Sequence, residues 1–285
     1  MKFIKPLLPV LLLTTLGACS RDEAAPAAEP AAAPAAAAST DTAASDIPRM
    51  PSGKPDFNGF WEFPYVPDMG GAGNGRTQIG AGEIQFTEAG KLNFERYDSS
   101  EGDYTGACLP FGHVRSMNSP NPVQFFQTDT QFAYLFEVNT WHHSFPIGGE
   151  DQTLDLPETW YGNSHAVWDG DSLVVTTQHY NGKTRLDTVG HPHSHKLKVT
   201  ERISYRDANA LNYEITIEDP LYYAVPFTNK RIFSRMADGI GLLEYACEEN
   251  NRAIWSGRMK LPDYSNWHTY DEAAVRAADA AAGIK

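Results

Sequence analysis

The sequence predicts an all-β domain, an antiparallel β-barrel or sandwich, with a lipocalin-like closed barrel preferred. Two observations carry that expectation. From Pro122 onward, apolar residues recur with period two in short runs separated by turn residues. Helix signals are confined to a short stretch near 87–97 and an Ala-rich one near 271–282.

Taken in order, Pro51 to Trp61 sets a bend and then starts a strand at Phe60 and Trp61. Pro64 to Gly82, rich in Gly and Pro, reads as a long loop. Thr87 caps the short helix, with Glu88 near its positive end, and Gly90 weakens it. Strands follow at Val123–Gln127 and Gln131–Trp141, joined by a turn at Asp129-Thr130; Phe132, Tyr134, Phe136 and Val138 share one face of the second. Ala166–Trp168 and Ser172–Thr177 flank Asp169-Gly170, the strongest short hairpin signal. Lys196–Tyr205 puts Leu197, Val199, Ile203 and Tyr205 on one face, together with one carboxylate, Glu201. Leu211–Ile217, Thr228–Met236 and Gly241–Glu248 complete an antiparallel set with one wet face.

The N-terminus reads as an address. Lys2 and Lys5 precede a short apolar core, Leu7 to Leu13, and then Leu16-Gly17-Ala18-Cys19. That is the cleavage box of a bacterial lipoprotein, and the apolar run is too short to span a bilayer. Residues 1–18 are therefore expected as a signal peptide, with Cys19 as the lipidation site. Residues 19–46, almost all Ala, Pro and small polar residues, form a disordered tether, and 47–285 a single β-rich domain. Ser20 rather than Asp after the cysteine points to the outer membrane, facing the periplasm. Cleavage removes Lys2 and Lys5, which takes the net charge from −13 to −15. So acidic a surface argues against nucleic acid, and leaves the lipid anchor as the only membrane contact. Cys108 and Cys247, an even pair in an oxidising compartment, are expected to form a disulfide.

The segment Glu158 to Leu197 holds five of the nine histidines, at 165, 179, 191, 193 and 195, and is where a site is expected. His191, His193 and His195 alternate and would converge on an extended chain. Pro192 bends that run and no HExxH-type helix accompanies it, so no metal and no cofactor is expected. Acid–base chemistry is the other use of these groups: His193 as general base, Asp187 orienting it, and His165 or Glu201 as the acid. A carboxylate on an apolar face must be paired, protonated or turned to a polar cavity, and the structural alternative for Glu201 is an ion pair with Arg231 or Arg235. Trp61, Trp141, Trp160, Tyr161, Asn163, Asn181, Arg185 and His191 are the candidate ligand-binding residues. There is no G-x-S-x-G elbow and no phosphate loop.

The blocks PDFNGFW, CLPFG, LPETWYGNSHAVWDGDSLVVTT, LDTVGHPHS, VTERI, ITIEDP and EYACEENNR resemble a large family of secreted bacterial proteins without an assigned function. The resemblance covers nearly all of the chain after the tether and implies an exported β-rich domain, with no activity. The chain departs from the family pattern at His142-His143, in place of an Arg-containing pair, and at His195, in place of Glu.

Two function classes follow. The first is a lipid-anchored barrel that binds a small, largely apolar or aromatic molecule in an aromatic-lined cavity. The second is a cofactor-free lyase, isomerase or hydrolase using His and carboxylate groups in the same cavity. The partner in both is a small molecule. The anchor is testable by itself: Cys19→Ala is expected to abolish acyl labelling and to leave the chain unprocessed or free of the membrane fraction. Unchanged labelling in that variant contradicts it.

Overall fold

The computed structural model describes residues 47–99, 103–151, 153–249 and 251–258. The expected signal peptide, the tether and the 271–282 helix lie outside them. Ten strands are present among the described residues: β1 (Gly59–Glu62), β2 (Gln78–Ile79), β3 (Val123–Gln127), β4 (Gln131–Phe136), β5 (His142–Pro146), β6 (Asn163–Asp169), β7 (Ser172–Gln178), β8 (Lys198–Asp207), β9 (Ala210–Glu218) and β10 (Phe227–Arg235). They pair antiparallel in the order β5-β4-β3-β1-β10-β9-β8-β7-β6, with β2 added beside β10. The path curls into a nearly closed nine-strand barrel. β5 and β6 meet through one backbone bond, Gly148 N to Ala166 O at 2.7 Å, and a bridge between Ile147 and Ala166.

Strand parity decides what fills the barrel. Residues two apart share a face, and the apolar set of each strand points inward. Trp61, Phe125, Phe132, Tyr134, Val175, Ile203, Tyr213, Ile215 and Phe233 are all fully buried. The rings pack edge-on and tilted; Phe125 lies 5.2 Å from Tyr134, and Tyr134 lies 5.4 Å from Phe145. This aromatic cluster is the core of the barrel.

Three short α-helices are present among the described residues: α1 (Glu88–Glu95), α2 (His113–Met117) and α3 (Arg252–Trp255). Thr87 caps α1 by accepting from Gly90 N at 3.0 Å. Gly90, which weakens the helix as a sequence element, is required by packing: a Cβ there would lie 2.0 Å from Tyr222 O. α2 was not anticipated. It follows Gly112, whose φ of 80° and close approach to Thr184 favour glycine. It is too short to show a helical period in sequence. A disulfide between Cys108 and Cys247 ties the chain ahead of α2 to the segment after β10.

Two strand expectations are corrected. The predicted strand 131–141 stops at Phe136, because Val138–Thr140 form a 3₁₀ turn with Asn139 and Thr140 at φ of 55° and 52°. Phe136 N then bonds Trp141 O at 2.8 Å, and the chain returns as β5. Gly241–Glu248 is not a strand. Its amides go to side chains of the same turn instead of a neighbouring strand, Leu243 N to Glu137 Oε2 at 2.9 Å and Cys247 N to Asn139 Oδ1 at 2.9 Å.

Candidate functional site

Glu201 lies at the barrel centre, on the inner face of β8, opposite Val175 of β7 and Ile215 of β9. Parity put it there and the structure supplies its partners. Its Oε1 accepts from Tyr213 OH at 2.5 Å, His113 Nε2 at 3.1 Å and Tyr134 OH at 3.3 Å. Burial, and then the Glu201 charge, push both tyrosine hydroxyls well above their ordinary range, so they stay protonated and donate. Neither expected arginine takes the carboxylate. Arg231 donates to Met117 O at 2.6 Å and Asn229 Oδ1 at 2.9 Å, while Arg235 lies over the Trp61 ring at 4.3 Å. Burial lowers Arg231 to about 10, which leaves it charged at neutral pH. Glu201 Oε2 and Arg231 Nη2 are buried without a hydrogen-bond partner among the described residues.

The histidine-rich loop, 191–195, is pinned rather than free. Ser194 gives both its N and Oγ to Asp219, at 2.6 and 2.9 Å, and Tyr223 OH reaches Pro192 O at 2.5 Å. His193 is buried in it. Its Nδ1 faces Ser194 O at 3.1 Å and therefore carries the proton, and Nε2 meets Thr184 Oγ1 at 2.5 Å. Both ring nitrogens are thus occupied by the fold, and Asp187 does not touch the ring. The geometry does not present His193 as a general base. Nor do the three alternate histidines converge on one ligand-like cluster among the described residues.

Asp187 orients a different histidine. Its Oδ2 lies 2.6 Å from His191 Nδ1 and accepts from Met69 N at 2.8 Å; its Oδ1 accepts from Gly190 N and His191 N, each at 3.1 Å. A carboxylate has about four acceptor positions, and all four are filled. Asp68, Asp187 and His191 place ligand atoms within 4.8 Å of one another, the one such cluster among the described residues. A metal would have to displace bonds that Asp187 already makes, so the arrangement is that of an oriented imidazole. His191 Nδ1 donates to Asp187, and no group among the described residues bonds Nε2. The ring packs nearly parallel to Phe94 at 4.7 Å and Phe86 at 5.8 Å. Together they line an open groove of about 440 Å³ with Asp68, Glu83, Val189 and three glycines.

The other candidates lie apart from this groove. His165 is on the outer face of β6, opposite Thr176, with Nε2 3.0 Å from Gly148 O, so parity turns it away from Glu201. Its neighbour Ser164 points inward and bonds His143 Nε2 at 2.6 Å. Burial, helped by the nearby His113, holds His143 well below the ordinary imidazole range. Trp61 is packed in the core with Nε1 on Phe57 O at 3.0 Å. Trp141 and Tyr161 form a second aromatic group with Phe111 and Phe136, and Tyr161 OH meets Ser116 Oγ at 3.0 Å. Trp160 lies under Lys183 Nζ at 5.8 Å. Asn163 holds Pro157 O at 2.8 Å, and Asn181 accepts from Lys183 N at 3.1 Å. Arg185 braces the loop, over Tyr97 at 4.7 Å and bonded to Asn93 at 2.5 Å. The structure thus gathers Asp187 and His191 from the predicted set and adds Asp68, Phe86 and Phe94. Nothing in the sequence pattern marks those three, because they come from residues 68–94, about a hundred residues away in the chain.

Fold and site together define an antiparallel β-barrel with a buried carboxylate at its centre and an Asp–His dyad at a groove beyond the strand ends. No protein-family model matches the chain, and no curated protein matches it.

His193 carries a pH signature. Burial pushes its imidazole down to about 4, against about 6.5 in an unfolded chain. The folded state therefore refuses a proton that the unfolded state accepts below about 6.5, and stability is lost as pH falls from there to about 4. At about 1.4 kcal/mol per pH unit, the loss is about 3 kcal/mol. His143 acts in the same direction. Urea midpoints of wild type and His193→Asn between pH 7 and 4 are expected to show a shallower decline in the variant; parallel declines contradict the assignment.

Proposed function

We propose that the groove at His191 takes a small molecule with an aromatic or apolar body, and that His191 removes a proton from it. The domain is then a cofactor-free lyase, isomerase or hydrolase. In this reading it is held in the bacterial envelope by the lipid on Cys19, as the N-terminal box suggests. The observation that carries the proposal is the 2.6 Å contact between Asp187 and His191 in the wall of an open groove. A carboxylate that holds Nδ1–H fixes tautomer and ring orientation and stabilises the imidazolium once the proton has moved. Phe86 and Phe94 offer flat apolar walls for the body of the molecule.

The groove also selects by charge. Asp68 and Glu83 line it, and no Lys or Arg among the described residues does. A neutral or cationic molecule is favoured over an anion. Asp68, with Oδ1 4.0 Å from His191 Nδ1, sets a second carboxylate beside the imidazole. Binding without chemistry is the second reading, favoured by the aromatic walls alone.

The protein, incubated with an extract of the host's growth substrates, is expected to deplete a compound seen by mass spectrometry. His191→Gln is expected to slow that depletion by about 10²–10⁴-fold while retaining the compound on the immobilised protein. Depletion undiminished in His191→Gln overturns the catalytic role. Retention without depletion by the wild type overturns it in favour of binding.

A further inference from the structure

A second concave surface has the opposite sign. The outward residues of β8, β9 and β10, with the turn before β2, form a groove of about 330 Å³. Arg202 and Arg206 enter it from β8, Lys230 from β10 and Arg76 from the turn, and the buried Arg231 lines it from below the sheet surface; Glu214 is the one acidic lining residue among the described residues. Four cations on one face stand out in a chain whose net charge is −13.

The turn that carries Arg76 is built rather than loose. Asn74 Oδ1 accepts from the amides of Arg76, Thr77 and Gln78, at 2.9, 2.8 and 3.1 Å. Ile232 N on β10 bonds Thr77 O at 2.8 Å, which fixes the turn against the sheet. No carboxylate among the described residues pairs with Arg76 or Arg206. Arg202 pairs with Asp169, yet its Nη1 is buried without a hydrogen-bond partner. Lys230 meets Glu214 at 2.7 Å, but that pair is open to solvent, and exposed pairs are weak enough for a competing anion to displace.

We propose that this groove is a binding site for phosphate groups. Guanidinium forks match phosphate oxygens with two parallel bonds. Arg202 and Arg206 line the groove from one strand together with Arg76 and Lys230, so several cations can meet a molecule with more than one phosphate or an array of headgroups. Ile79 and Ile232 line the same groove and offer apolar contact beside the charges. The site shares no residue with the His191 groove and does not depend on the reading of that groove.

The test uses two probes on the full chain, inorganic pyrophosphate followed by calorimetry and vesicles of phosphatidylglycerol against phosphatidylcholine followed by co-sedimentation. Saturable binding of pyrophosphate identifies a free phosphate ligand; binding only to phosphatidylglycerol identifies a headgroup surface. In either case Arg76→Gln with Arg206→Gln is expected to weaken binding by about tenfold or more. Added salt is expected to weaken it as well, while His191→Gln leaves it unchanged. Both arginines are exposed, so an unchanged melting temperature checks that the double variant is folded. Binding of neither probe, or binding that the double variant does not weaken, overturns the proposal.

Discussion

A carboxylate sealed inside an aromatic barrel constrains everything around it. Glu201 has no solvent exposure, and an unpaired polar group in such a place is costly. Its Oε1 is met from three directions, by Tyr134 on β4, Tyr213 on β9 and His113 on α2. Those donors join both halves of the sheet and the helix at the barrel end. A core of hydrocarbon alone would tolerate several packings. One acceptor shared by three donors restricts which residues of β4 and β9 can face each other, and requires α2 to enter the barrel.

The same helix leads from the core to the groove. Beyond His113, Arg115 Nη1 bonds Asp187 O, and Asn118 Nδ2 bonds Leu186 O at 2.6 Å. Asp187 is then saturated by the 64–87 loop and by its own loop, and His191 is held on it. Preorganisation of this kind is what a proton-transferring imidazole needs, since ring orientation and tautomer are set before a molecule arrives. Other histidines serve the fold. His193 in the same loop and His143 on β5 are buried with lowered imidazoles, and their protonation opposes folding.

Much of the barrel was legible because period-two alternation is a local signal. β3 is found as expected, the Asp169-Gly170 hairpin pairs as expected, and Glu201 faces inward with Val199 and Ile203. Side-chain partnership is not a local signal. The short distance in sequence between His193 and Asp187 suggested a pair, but the loop turns so that His191, four residues from Asp187, takes the carboxylate. His165 looked close to the site, yet one step of strand parity separates it from the inward Ser164. α2 and β5 were missed for a common reason: the structure there follows from backbone at Gly112 and Asn139 with positive φ, which no apolar period announces.

The claim that Glu201 and its donors act as one unit is tested most directly by a double-mutant cycle in urea. Glu201→Ala alone is predicted to cost about 1–3 kcal/mol for a buried donor left without its acceptor. Tyr213→Phe is predicted to be less costly in the Glu201→Ala background than in the wild type, with a coupling of about 1 kcal/mol or more. Additive effects of the two substitutions, or a Glu201→Ala variant as stable as the wild type, would contradict the account.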